Sequence, residues 1–115
     1  MAAISAGEEE IATHLFRKAA NVNMRNKAGE NALILAAKVN MPGIFEEVIR
    51  FTGSNVRDND GNNALHHSAM SDCLRCAELL LSTPINVSSI NKKGDTALDL
   101  ATSDKMRSLI RSRGP

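Results

Sequence analysis

A segment of twelve residues occurs three times in this chain, and the spacing of its copies constrains the fold more than any other feature. The copies read NKAGENALILAA (26–37), DNDGNNALHHSA (58–69) and NKKGDTALDLAT (91–102). Their glycines, Gly29, Gly61 and Gly94, are 32 and 33 residues apart. Repetition at this period is typical of a solenoid, in which each unit buries its apolar face against the next unit.

Each unit predicts a pair of antiparallel helices. Asn31, Asn63 and Thr96 directly precede the Ala-Leu pair of each copy, where a side-chain oxygen can cap the unpaired amides of a first helical turn. A second helix is indicated by apolar residues at i, i+1, i+4 and i+5, which share one helical face. This pattern is found at Ile11, Ala12, Leu15 and Phe16, at Ile44, Phe45, Val48 and Ile49, and at Cys76, Ala77, Leu80 and Leu81.

The composition agrees with an all-α domain that buries aliphatic side chains. The chain of 115 residues has 43% hydrophobic residues and three aromatic residues, all Phe, whereas sheets favour aromatic and β-branched residues. The formal net charge of +1 argues against nucleic acid or an anionic membrane as a partner. Two cysteines, Cys73 and Cys76, without a secretory signal at the start indicate a reducing, intracellular compartment, either cytoplasmic or nuclear.

The three copies closely resemble the ankyrin repeat, whose signature is Asp-x-x-Gly-x-Thr-Pro-Leu-His-x-Ala-Ala. The signature proline is replaced by Ala32, Ala64 and Ala97, which keeps the helix propensity. The resemblance implies a single ankyrin-repeat domain over 1–115, with helix pairs joined by β-hairpin-like loops. Its predicted units are a partial first repeat (1–22), a second repeat (23–54), a third repeat (55–87) and a C-terminal capping repeat (88–115).

The first unit is predicted to be truncated, because too few residues precede its outer helix to form a full inner helix. An apolar face at this end would then be open or covered by another molecule. The alternative to an interaction module is therefore a fragment or cap of a longer ankyrin solenoid with a structural or assembly role. A monomer is expected, and end-to-end association through the truncated repeat is the alternative.

Two histidines and two cysteines form the one metal-like constellation of the sequence, His66, His67, Cys73 and Cys76. His67 aligns with Leu35 and Leu100, and Cys76 aligns with apolar residues of the other units, so core packing explains them better than zinc does. We therefore expect a buried, neutral His67 and no metal or cofactor. His66 occupies the signature histidine, for which the resemblance implies a bond to the neighbouring hairpin backbone. No catalytic motif accompanies the cysteines, which predicts a chain that is not an enzyme.

The resemblance implies that partners contact the hairpin tips and the exposed ends of the inner helices. We call the corresponding residues the predicted binding face. They are Lys27, Ala28, Glu30, Lys38, Val39, Asn59, Asp60, Asn62, Met70, Ser71, Lys92, Lys93, Asp95 and Ser103.

The chemistry of the predicted binding face indicates another protein or a peptide segment as the partner. Val39 and Met70 are apolar anchors, and lysines flank them, so we expect a ligand with an apolar centre and acidic flanks. Asn23 resembles the asparagine that is hydroxylated in some ankyrin proteins, although a role in stabilising the hairpin is the preferred interpretation.

Overall fold

A computed structural model describes residues 14–16, 18 and 24–113. The described part is helical and contains no strand. Residues 14–16 and 18 are helical, and six further helices follow in chain order. They are α1 (Ala32–Lys38), α2 (Pro42–Val48), α3 (Ala64–Ser71), α4 (Leu74–Leu81), α5 (Ala97–Leu100) and α6 (Asp104–Arg113).

The six helices form two layers of a short solenoid. Helices α1, α3 and α5 pack side by side as the inner layer, while α2 contacts α4 and α4 contacts α6 in the outer layer. Within each unit the inner helix packs on the outer helix that follows it, α1 on α2, α3 on α4 and α5 on α6. The predicted all-α solenoid of helix pairs is confirmed, whereas the unit boundaries stay a prediction.

The inner helices begin at the three predicted caps. The side-chain oxygen of Asn31 accepts a hydrogen bond from the amide of Ile34 at 2.9 Å. Asn63 caps α3 and Thr96 caps α5 in the same way. Each cap satisfies one of the amides that have no partner inside the helix, so these three residues determine where the inner layer begins.

The loop before each inner helix is a tight turn that one polar side chain holds closed. Asp58 Oδ1 accepts hydrogen bonds from the amides of Asp60 and Asn62, at 3.0 and 2.9 Å. Asn26 and Asn91 make the equivalent pairs of bonds in their own units. Neighbouring loops are joined as well, since the amide of Asn59 donates to the carbonyl of Ala28 at 2.8 Å. The loops thus form a continuous, hydrogen-bonded row along one edge of the solenoid.

The apolar core lies between the two layers. Phe45, Leu33, Leu65 and Leu80 are at most 1% exposed, and Met106 of the last unit is fully buried. Phe16 and Ile49 pack partly buried against this core, as the helical stripes predict, and Leu109 does the same. Ile11 and Ala12 of the first stripe lie outside the described residues.

Leu98 departs from its predicted place in the core. It aligns with the buried Leu33 and Leu65, and the repeat pattern therefore predicts burial at a repeat interface. In the structure Leu98 is only partly buried. The reason is the length of α5, which has four residues against seven in α1 and eight in α3 and so covers less of Leu98.

Candidate functional site

Most of the predicted binding face is accessible. Nine of its residues are exposed, namely Lys27, Ala28, Lys38, Val39, Asn59, Asp60, Met70, Lys92 and Lys93. Four more are half-buried, namely Asn62, Ser71, Asp95 and Ser103. The expected exposure of Glu30 is wrong, because this residue is 4% exposed. Its carboxylate accepts hydrogen bonds from Asn26 and Lys38, which hold it against the protein.

Val39 and Met70 are the large apolar residues of this face, 43% and 40% exposed. Val39 is the C-cap of α1, and Met70 lies in the last turn of α3. Hydrogen bonds connect the two turns that carry them: Ser71 Oγ donates to the carbonyl of Ala37 at 2.7 Å, and Asn40 Nδ2 donates to the carbonyl of Ser71 at 3.3 Å. The two anchors therefore stand on a surface whose backbone is held in place.

Several polar residues of the predicted binding face already bond within the protein. Asn59 Nδ2 donates to the carbonyl of Lys27 at 2.7 Å, and the side chain of Asn62 accepts from Asn91 at 2.9 Å. Ser103 Oγ donates to Asp72 Oδ1 at 2.7 Å. These side chains stiffen the face, since each one joins neighbouring units.

The lysines of the face differ in their surroundings. Lys38 Nζ lies 2.9 Å from Glu30 Oε2. Among residues 24–113, no ion pair involves Lys27, Lys92 or Lys93, and all three are exposed at the hairpin tips. The tips therefore present positive charge that acidic groups of a ligand could approach.

His66 links its own helix to the next unit. Its Nε2 lies 3.0 Å from the carbonyl oxygen of Asp95, and its Nδ1 accepts a hydrogen bond from the amide of Asn63 at 3.2 Å. Burial lowers the pKa of His66, and that effect outweighs the bond to Asp95, which raises it. A neutral ring with the proton on Nε2 satisfies both bonds. The predicted bond to the neighbouring hairpin backbone is confirmed.

His67 is 6% exposed, so its predicted burial is confirmed. Its Nε2 lies 2.8 Å from Asp58 Oδ2. A ligand atom of Glu30 lies within 4.8 Å of both groups. We call Glu30, Asp58 and His67 the buried trio.

The two carboxyl groups of the buried trio have lowered pKa values. Burial raises the pKa of Asp58, but hydrogen bonds from His67 and from the amides of Asn62 and Asp60 outweigh it. Burial likewise raises the pKa of Glu30, and the bonds from Asn26 and Lys38 lower it further than burial raises it. Both carboxyl groups therefore remain ionised at neutral pH.

Alignment of the repeats did not reveal the buried trio. It predicts that Glu30 is exposed on the binding face and that His67 is a core residue, and it makes no prediction for the side chain of Asp58. The available signal was His67 itself, a polar ring where sibling units carry Leu35 and Leu100, since a buried imidazole needs a polar partner.

Cys73 and Cys76 are joined by a disulfide bond, which core packing alone did not predict. Both residues are buried, at 2% and 0% exposure, as expected from the repeat positions. The disulfide connects the N-cap of α4 to its first turn. The metal-like constellation of the sequence is thus divided among three places, since the cysteines form a disulfide, His66 bonds to Asp95 and His67 belongs to the buried trio.

An apolar groove of about 270 Å³ lies beside the first helical residues. Leu15 and Met24, which are 59% and 60% exposed, line it together with Phe16 and Leu35. The groove is at the end where the sequence predicts a truncated unit. Residues 1–13, on which that prediction depends, lie outside the described residues, and so does Asn23.

Within the described part, no helix has the length and apolar character needed to cross a membrane.

Comparison with known proteins supports the fold and the resemblance to ankyrin repeats. The sequence matches the family model for ankyrin repeats (3 copies) over residues 1–91 and again over 48–112. An ankyrin repeat protein of fowlpox virus (strain NVSL) is 31% identical over 116 residues, which cover 96% of this chain and 20% of the viral protein. Neurogenic locus notch homolog protein 1 of Xenopus laevis is 33% identical over 102 residues, 87% of this chain and 4% of that protein.

A solved structure shows the same fold. The ankyrin repeat domain of Bcl-3 superimposes with a TM-score of 0.77 at 22% sequence identity, over 91% of this chain and 47% of the other. The chain spans about a fifth of the viral relative and less of the notch protein.

Proposed function

The chain belongs to the ankyrin repeat family, whose repeats are protein–protein interaction modules, and we propose that it is a non-catalytic adaptor or regulatory module. It binds a partner protein or peptide through the predicted binding face. We expect this binding to occur inside the cell, and the intracellular location stays a prediction.

The observation that carries this proposal is the placement of Val39 and Met70. Both are large apolar side chains with about two fifths of their surface exposed, and the turns beneath them are hydrogen-bonded to each other. A rigid surface reduces the entropy lost on binding, and apolar anchors surrounded by polar groups are typical of binding hot spots.

The charge distribution favours a ligand with an apolar centre and acidic flanks. Lys27 lies at one hairpin tip, and Lys92 and Lys93 lie at the tip that is two units further along the solenoid. Asp60 lies at the tip between them, which disfavours an acidic group at the centre of the ligand. An extended segment with Asp or Glu on both sides of an apolar core complements this pattern.

Selection from a displayed library of random peptides tests the proposal directly. We expect enriched sequences to have an apolar centre between acidic residues. The double variant V39A/M70A should weaken binding of an enriched peptide by at least about fivefold, as the loss of an anchor does. Its thermal midpoint should change by less than about 2 °C, because both side chains lie at the surface with about two fifths of their area exposed.

The matched control for the anchors is Ile90→Ala. Ile90 is 52% exposed but lies outside the predicted binding face, so this variant should bind with unchanged affinity. Equal losses in the anchor variant and the control would contradict the assignment of the face. A large loss of stability in V39A/M70A would show that the anchors belong to the core.

The lysines are tested separately by charge reversal. We expect the triple variant K27E/K92E/K93E to bind the same peptide more weakly and with a smaller dependence on salt concentration, because its tips no longer attract acidic flanks. An unchanged salt dependence would contradict a ligand with acidic flanks.

A second candidate role is that of a cap or fragment of a longer solenoid, and the apolar groove beside Leu15 and Met24 favours it. Such a groove matches the surface against which a preceding repeat would pack. If this role is correct, sedimentation of the chain should detect self-association, which Met24→Glu should abolish. A stable monomer at high concentration would contradict it.

A further inference from the structure

The buried trio brings together three metal-ligating side chains from three separate segments. Glu30 lies in the loop before α1, Asp58 begins the next loop and His67 lies on α3. One ligand atom of each lies within 4.8 Å of the others. The side chains of Glu30, Asp58 and His67 are 5%, 4% and 8% exposed, which separates them from the acidic groups that commonly cluster on protein surfaces.

We propose that Glu30, Asp58 and His67 form a binding site for one divalent transition-metal cation, with Zn²⁺ as the best match. An imidazole nitrogen and two carboxylate oxygens are ligands that Zn²⁺ accepts, and three protein ligands leave a fourth tetrahedral position for water. Asp58 Oδ2 and His67 Nε2 are 2.8 Å apart. Two ligands at about 2.0 Å from a tetrahedral Zn²⁺ are roughly 3.3 Å apart, so the Asp58–His67 pair is already close to the required spacing. The ligand atom of Glu30 lies within 4.8 Å of both.

Outer hydrogen bonds already orient the carboxylates of the trio. Asp58 Oδ1 accepts from the amides of Asp60 and Asn62, which leaves Oδ2 directed at His67. Glu30 Oε1 accepts from Asn26 Nδ2 at 2.9 Å. Such bonds hold ligands in position before the metal arrives and are a regular part of protein metal sites.

A cationic group already occupies one side of the cluster. Lys38 Nζ lies 2.9 Å from Glu30 Oε2, and its side chain is 53% exposed, so the ammonium can move into solvent without unfolding the chain. With the neutral imidazole that metal binding requires, the trio carries two negative charges, and Lys38 balances one of them. A divalent cation balances both and releases Lys38.

Titration of the full chain with ZnCl₂ and with CoCl₂ tests this site. The protein is stripped of metal and kept without reductant, so that Cys73 and Cys76 stay in their disulfide. We expect one equivalent of metal to bind, with a Co²⁺ absorption spectrum that lacks the near-ultraviolet charge-transfer bands of thiolate ligands. His67→Leu and Glu30→Gln should each weaken Zn²⁺ binding by at least about tenfold. Leucine is compatible with the fold at position 67, because Leu35 and Leu100 occupy the equivalent positions.

Two further variants distinguish a metal site from a purely structural network. Lys38→Met removes the competing ammonium and should tighten Zn²⁺ binding by about twofold to fivefold, the worth of a partly exposed ion pair. His14→Gln, which removes an exposed histidine, should leave the affinity unchanged. Absence of saturable binding below about 1 mM Zn²⁺ would overturn the proposal. So would binding that both His67→Leu and Glu30→Gln leave intact, or weaker binding in Lys38→Met.

Discussion

The imidazole of His66 donates to the carbonyl oxygen of Asp95 across a repeat junction, with 3.0 Å between Nε2 and the oxygen. The same ring accepts the amide of Asn63, the N-cap residue of its own helix. One side chain thus holds the start of α3 and the loop that leads to α5. Its position in the signature segment is explained by these two bonds, since a neutral imidazole offers one donor and one acceptor on opposite sides of the ring.

We expect His66→Leu to lower the free energy of unfolding by about 1 to 3 kcal/mol. Leucine fills most of the space, but it leaves the buried Asn63 amide without its partner and removes one of the two hydrogen bonds that the Asp95 carbonyl accepts. Urea unfolding followed by circular dichroism measures the change. His14→Leu, at an exposed position, is the control and should have an effect of only a few tenths of a kcal/mol. Equal effects of the two substitutions would contradict a structural role for the ring.

Leu65→Ala and Leu98→Ala should differ although the two residues occupy equivalent positions in the repeat. Leu65 is 1% exposed, and its truncation leaves a cavity at a cost of about 2 to 5 kcal/mol. Leu98 is only partly buried. Because it buries less apolar area, its truncation should lower the free energy of unfolding by about 1 to 2 kcal/mol. The two unfolding free energies, measured side by side, test whether the last unit is less tightly packed. A larger loss for Leu98→Ala would contradict the structure.

Gly61→Ala should destabilise the chain more than Gly94→Ala. Both glycines have positive φ, +81° and +83°, so both substitutions carry the strain of a left-handed conformation, about 1 kcal/mol. A Cβ at Gly61 would lie 3.0 Å from the amide nitrogen of Lys92 in the next loop, whereas a Cβ at Gly94 meets nothing within 4 Å. Since a backbone neighbour cannot move aside freely, we expect Gly61→Ala to cost at least about 1 kcal/mol more.

The glycine comparison is measured by thermal or urea unfolding of the two variants. Gly94→Ala is the matched control, because it has the same backbone conformation without the close neighbour. Equal destabilisation would show that the contact between adjacent loops has no energetic effect.

The features that periodicity predicted depend mostly on neighbours within one unit. The caps at Asn31, Asn63 and Thr96 are local, so periodicity and cap chemistry were sufficient to locate them. The burial of Glu30 was missed because it depends on which way a side chain turns, and Asn26 and Lys38 hold this one inward. Repeat alignment averages over such differences between units.

The departures at Leu98 and at the cysteines have the same origin. Alignment treats the last unit like the central one, yet α5 has only four residues and leaves Leu98 partly exposed. Cys73 and Cys76 were each explained by burial, but their disulfide depends on the distance between two side chains at the start of α4. Contacts of this kind are a property of three-dimensional placement and leave no periodic signal.

The pKa of Asp99 tests how Thr96 caps α5, the last inner helix. The amide of Thr96 donates to Asp99 Oδ2 at 2.9 Å, and Thr96 Oγ accepts from the amide of Asp99 at 3.2 Å. Hydrogen bonds from the Thr96 backbone, and secondly from its side chain, lower the pKa of Asp99. The folded chain therefore binds this proton less tightly than the unfolded chain does. The resulting stabilisation is present above the unfolded pKa and is lost as the pH falls through the folded pKa.

We expect Thr96→Val to raise the pKa of Asp99 part of the way to its ordinary value, because the backbone bond remains while the hydroxyl is lost. Titration of the Asp99 carboxyl carbon by NMR measures this shift. Thr102→Val removes an exposed hydroxyl of the same unit and should leave the Asp99 titration unchanged. If Thr96→Val also leaves it unchanged, the backbone bond alone lowers this pKa and the threonine hydroxyl contributes nothing to it.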